Sequence, residues 1–129
     1  MYTAPPLPVL EVYYSPTCAP CRLELPAIVE FAREDGRRVR IVILDQILRA
    51  REEIRAVSPQ FAVTAIATTE RNPRTALHEA GDADGILPYA RSIAPNGTIC
   101  AQWRGILTLA RARDLVAACT KTITSPAQR

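Results

Sequence analysis

Lysine is almost missing from this chain: of its 16 basic residues only Lys121 is a lysine, and the rest are arginine. That skew reads as coding bias rather than as a binding surface. The formal net charge is only +3 over 129 residues and is dispersed, which argues against a nucleic acid or an anionic membrane as partner. Apolar runs of the ~18–20 residues needed for a membrane span are also missing. So is a charged-then-apolar leader, since Met1 to Pro8 carries none. As it stands the chain reads as soluble and cytoplasmic, with a periplasmic mature domain as the alternative. Histidine occurs once, at His78, and four cysteines are too few for a disulfide scaffold at this length. One domain over residues 1–129, acting as a monomer, is expected, because this length suffices for a real core.

What the chain does hold is concentrated in residues 9–26. Val9–Tyr14 is a β-prone, mostly apolar run suited to an interior strand, and Pro16 stops it. Cys18-Ala19-Pro20-Cys21 follows. A helical apolar period then begins with Leu23, Ala27, Ile28, Phe31 and Ala32. The helix should start near Ala19 or Pro20, since proline suits the first helical position, where its missing N–H has no partner. Pro26 is expected inside this helix as a kink, and Gly36 as its stop. The product is a strand–turn–helix with a dithiol at a helix N-terminus.

That placement has a chemical meaning. The thiolate is the nucleophile, so a redox cysteine needs a depressed pKa. A helix N-terminus supplies roughly half a positive charge and several unpaired N–H donors. Cys18 should stand exposed just before that terminus, with Cys21 one turn in and more buried. The spacing brings the two sulfurs together on one helical turn. A redox-active Cys18–Cys21 disulfide can then open by attack on Cys18, with Cys21 resolving the mixed disulfide. The bland alternatives are a purely structural buried pair, for which proline-bracketed cysteines at a strand–helix corner are poor core positions, and half of a zinc site. Zinc commonly takes two close pairs of ligands, whereas Cys100, Cys119 and His78 are scattered. No metal and no organic cofactor is expected.

The rest of the chain alternates strand and helix patterns. Val39–Leu44 reads as a second strand, and Asp45 as the cap of a helix with Ile47, Ala50, Ile54 and Val57 on one face. Ser58-Pro59 ends it. Ala62–Thr68 is expected as a third strand. Asn72-Pro73 caps and opens a short helix ending at Gly81, and 82–85 is a loop. Pro88–Ala94 and Thr98–Trp103 form a hairpin across Pro95-Asn96-Gly97, which Gly105 closes. Thr108 caps a last helix whose inner face is Leu109, Ala112, Leu115, Val116 and Cys119. Residues 1–8 read as an extended lead-in and 120–129 as a frayed tail. The class is α/β with a mixed sheet.

Cys18-Ala19-Pro20-Cys21 after a strand, with Pro26 five residues beyond the second cysteine, resembles the active-site pattern of the thioredoxin superfamily. Leu87-Pro88, followed by a strand, Asn96-Gly97 and a strand ending at Gly105, is similar to its second landmark. The resemblance covers about residues 8–119. It implies a thioredoxin-like fold, a mixed central sheet flanked by helices. It implies a cis-proline at Pro88 that faces the dithiol and, with Leu87, pairs with the substrate backbone. Ala19, Pro20 and Pro26 would support the site. The implied activity is thiol–disulfide exchange with a protein substrate, with electrons passing to or from an upstream redox partner protein.

The long segment between the first helix and Leu87-Pro88 resembles the TlpA-like branch, which includes extracytoplasmic reductases. Ser15-Pro16-Thr17-Cys18 together with Leu87-Pro88-Tyr89-Ala90 also resembles the accessory proteins of methylamine dehydrogenase maturation, which assist disulfide formation. Proline before the second cysteine resembles the reducing members, so a reductase is expected. Thr17 stands where the family often has tryptophan, and Val12 where thioredoxins bury an acid. Glu11, beside it, points to the other face by strand alternation and reads as a paired or edge carboxylate. Arg91 and Ser92 fall where the family strand is usually apolar. The rival reading is a non-catalytic thioredoxin-fold adaptor or chaperone.

Cys100 and Cys119 are expected to pack as small buried hydrophobes, the alternatives being a second disulfide or a regulatory thiol. His78 reads as a surface helix residue and Trp103 as hairpin packing. Tyr14 and Tyr89 belong either to the active-site groove or to the core.

Overall fold

β1 (Val9–Tyr14) is the middle strand of a five-stranded sheet. A computed structural model describes residues 7–124 of the chain. After β1 come α1 (Ala19–Ala32), β2 (Val39–Ile43), α2 (Ile47–Val57), α3 (Pro59–Thr64), β3 (Ile66–Ala67) and α4 (Pro73–Glu79). The chain then runs through β4 (Tyr89–Ile93), β5 (Ile99–Arg104) and α5 (Leu109–Thr124). The sheet order is β3-β2-β1-β4-β5, with β1, β2 and β3 parallel and β4 and β5 antiparallel. This is the expected mixed sheet flanked by helices.

Strand alternation divides β1 between two faces. Leu10, Val12 and Tyr14 join Cys21, Leu25, Ile28, Phe31, Leu115 and Val116 in one core. Full burial of each large apolar side chain there contributes roughly 1.5–3 kcal/mol. Tyr13 faces the opposite side, among Val42, Leu44, Leu77 and Tyr89. Glu11 shares that side and is 4% exposed. Arg91 reaches it from β4 at 2.8 Å, Arg40 from β2, and the Tyr13 hydroxyl also donates to it. Burial pushes the Glu11 carboxyl up, but these hydrogen bonds outweigh burial and hold it below its ordinary value. Arg91, out of pattern for an apolar strand, is thus the partner of Glu11, and it also donates to the Ala80 carbonyl at 2.8 Å.

Several expectations are corrected. Residues 62–68 are not one strand: Pro59–Thr64 is helical, and only Ile66–Ala67 pairs with β2. Arg51 donates to the carbonyls of Ala62 and Ala65 at 2.7 and 3.0 Å, satisfying the helix end there. Asp45 does not cap α2. The cap position is Gln46, at φ 47° with no side-chain bond, and Asp45 instead accepts from Ser15. Thr120–Thr124 continue α5 rather than fraying, while 1–6 of the lead-in and 125–129 of the tail lie outside the described residues. Cys100 and Cys119 are not free packing thiols but form a disulfide between β5 and α5, with Cα atoms 5.0 Å apart. Among the described residues no helix is long and apolar enough to cross a membrane.

Candidate active site

The turn leaving β1 is held from within. The Cys18 N–H donates to the Ser15 carbonyl at 3.0 Å, and the Thr17 N–H to the Ser15 hydroxyl at 3.2 Å. The Ser15 hydroxyl donates to Asp45 at 2.6 Å and lies 2.8 Å from the Thr17 hydroxyl. Arg22 donates to the Pro16 carbonyl. The turn delivers Cys18 to the N-cap of α1 in extended conformation, with Pro20 in the first helical turn.

Cys18 and Cys21 form a disulfide with Cα atoms 5.2 Å apart. The Cys18 sulfur accepts the Cys21 N–H at 3.2 Å, one of the donors a helix start leaves free. Cys18 is half-buried rather than fully exposed, and Cys21 is 0% exposed. The Cys21 sulfur lies 3.9 Å from the Tyr13 carbonyl. Pro26 sits inside α1, which continues to Ala32.

Leu87–Pro88 is a cis peptide bond. It precedes β4, and the Pro88 carbonyl accepts the Gly105 N–H at 3.1 Å, tying the bend to the end of β5. Leu87 and Cys18 line one groove of about 690 Å³, with Thr17, Pro20, Asp45, Arg74 and Leu77 around it. Cys18 of the pair and Leu87 of the proline-bearing bend therefore share a concavity. Gly85, also on this groove, has φ +63° and leaves no room for a side chain: a Cβ there would stand 2.6 Å from Arg74 and 2.9 Å from His78. His78 is exposed on α4, as its surface reading requires.

Tyr14 and Tyr89 belong to the core, at 0% and 1% exposure. The Tyr89 hydroxyl donates to the Ala80 carbonyl at 2.9 Å, and the Tyr14 hydroxyl to Glu53. Trp103 packs on the hairpin under the Arg111 guanidinium, which lies 3.9 Å from the ring centroid.

Sequence reading missed Glu24. It lies one turn beyond Cys21 on α1 and is 2% exposed. One carboxylate oxygen accepts the Leu107 N–H at 2.8 Å, and the other is buried with no partner among the described residues. Burial pushes this carboxyl up to about 7, against the pull of the Leu107 N–H. Residues three apart on a helix share a face, so Glu24 stands on the Cys21 side of α1. The signal was an acid in phase with Cys21 and Leu25 on the inward stripe. Among the described residues, no group of three or more His, Cys, Asp or Glu is placed to hold a metal ion.

No protein-family model matches the chain, and no curated protein matches it. Solved structures do. A thioredoxin-related protein from Neisseria meningitidis serogroup B is 22% identical with a TM-score of 0.63, covering 92% of this chain and 89% of its own. A putative thioredoxin from Neisseria meningitidis is 19% identical with a TM-score of 0.67, covering 94% and 78%. A secreted thiol-disulfide isomerase from Corynebacterium glutamicum is 16% identical with a TM-score of 0.64, covering 88% and 71%. With its strand order, its helix-capping dithiol and its cis-proline bend, this chain has the thioredoxin fold.

Proposed function

We propose that this protein is a thiol–disulfide oxidoreductase of the TlpA-like branch that exchanges its Cys18–Cys21 pair with protein substrates. The observation that carries the reading is the half-buried Cys18 sulfur at a helix N-cap, bonded to a fully buried partner and sharing a groove with Leu87 beside cis-Pro88. In the reducing direction the Cys18 thiolate attacks one sulfur of a client disulfide, forming the mixed disulfide and releasing the other client sulfur as thiolate. Cys21 then attacks the Cys18 sulfur, which frees the second client thiol and closes Cys18–Cys21. The client is reduced by two electrons and the pair is oxidised by two, so a partner redox protein must reduce it again. Glu24 takes the Cys21 proton in the resolving step. Leu87 and Pro88 present backbone to an extended client segment, while Ala19, Pro20 and Pro26 shape the first turns of the helix. No metal or organic cofactor takes part.

The direction is reducing, on the resemblance of Pro20 to the reducing members. The compartment is an oxidising one, a reading supported by the second disulfide, Cys100–Cys119, because such bonds persist mainly outside the cytosol. The test is turbidimetric insulin reduction with dithiothreitol. The wild type accelerates it, Cys18→Ser abolishes the acceleration, and Cys21→Ser accumulates a mixed disulfide through Cys18. Equal behaviour of wild type and Cys18→Ser would overturn the reading in favour of a groove-binding adaptor.

A further inference from the structure

The turn around Cys18 holds three donors: the Cys21 N–H, the Thr17 N–H and the Thr17 hydroxyl. Only the first reaches the Cys18 sulfur, at 3.2 Å. The Thr17 N–H is spent on the Ser15 hydroxyl oxygen at 3.2 Å. The Ser15 hydroxyl has one proton, and that proton goes to Asp45 at 2.6 Å. The 2.8 Å contact between Ser15 and Thr17 must therefore carry the Thr17 proton toward Ser15. The bonds form an ordered chain running from Thr17 through Ser15 into the Asp45 carboxylate, and all three residues line the same groove as Cys18. An anionic terminal acceptor polarises such a chain and strengthens each link.

We infer that Asp45 is a positioning residue for the exchange reaction: through Ser15 and Thr17 it draws the turn's donors away from Cys18, disfavours the thiolate and keeps the couple on the reducing side. This rests on Cys18 being the attacking sulfur. The other charged groups around the groove are Arg74 on its wall, His78 against Gly85, Arg22 on the Pro16 carbonyl, and Glu24 one turn beyond Cys21. None of them is bonded to this chain, so substitution within it isolates the effect.

The experiment is the pH dependence of Cys18 alkylation in the reduced protein, read at the Cys18 peptide by mass spectrometry. Asp45→Asn keeps an acceptor for Ser15 and removes the charge, so the Cys18 midpoint should fall by about one unit. Above that midpoint, equilibration against glutathione should shift about tenfold toward the dithiol, ~30 mV. Ser15→Ala releases both Thr17 donors and should produce a similar fall. The double variant should fall no further than either single one, because the two act through one chain. Ser15 is buried, so the exposed Thr17→Val serves as a second partner: it deletes one donor and releases none, so its own midpoint should stay at the wild-type value and it should blunt the fall caused by Asp45→Asn. An unchanged midpoint in Asp45→Asn overturns the inference, and so do additive shifts in the double variants. Either failure leaves insulin reduction and its loss in Cys18→Ser intact, which separates this inference from the reading it rests on.

Discussion

Glu24 brings a carboxylate into the core with one oxygen on the Leu107 N–H and the other without a partner among the described residues. Its burial favours the protonated form, so stability should depend on pH with a definite sign. The native group titrates at about 7, against an ordinary value of 4.5. Between those values the folded chain keeps a proton that the unfolded chain has released. Stability therefore falls as pH rises through this window and is indifferent to Glu24 on either side of it. Each unit of difference is worth ~1.4 kcal/mol, which sets the full fall at about 3 kcal/mol. Glu24→Gln keeps an acceptor for Leu107 and removes the titration. Urea unfolding on the acid and alkaline sides of the window should show the variant gaining about 3 kcal/mol on the wild type. An identical pH slope in both proteins would refute the assignment. The same variant should slow mixed-disulfide resolution by about 10²-fold, the size of a lost proton acceptor.

α4 is short, and its start is fixed by one side chain. The Asn72 carboxamide oxygen accepts the N–H groups of Arg74 and Thr75 at 2.9 and 3.3 Å. Asn72→Ala should cost about 1 kcal/mol, measurable by thermal unfolding. Arg74 and Leu77 should lose protection from hydrogen exchange first, loosening that wall of the groove; an unchanged melting temperature would show the cap to be idle. This cap was legible in the sequence, as were the dithiol turn, the hairpin and the inner face of α5, because each is set by neighbours in the chain: Asn before Pro, Pro before Cys, Asn before Gly. What was not legible depends on distant partners. Ala62–Thr68 has a strand-like composition, yet the guanidinium of Arg51 satisfies the carbonyls of Ala62 and Ala65 and so favours a helix end there. Asp45 has the form of a helix cap, but Ser15, thirty positions earlier, takes its oxygen. Glu24 was overlooked because a lone acid on an apolar stripe gives no sign of what it meets across the fold.

The two disulfides occupy opposite ends of the sheet. In the β4–β5 register, Tyr89 faces Arg104 at the end where Pro88 is bonded to Gly105, and Ile93 faces Ile99 at the other. Cys100 follows Ile99, so its bond to Cys119 lies at the end remote from the dithiol groove. Cys119 is 0% exposed, out of reach of a client thiolate. The bond ties the end of α5 to edge strand β5, and α5 also lines the core through Ala112, Leu115 and Val116. It thus secures a whole helix against the sheet at the end away from the dithiol groove. Closing a chain segment of 19 residues removes unfolded-state freedom worth about 3 kcal/mol in the loop-entropy account. Replacing Cys100 and Cys119 together by Ala should lower unfolding free energy by about that amount. Insulin reduction well below the melting temperature should keep the wild-type rate, since the groove end of the sheet is untouched. A double variant as inactive as Cys18→Ser, yet still folded by circular dichroism, would make the second pair a member of the electron path instead of a clamp.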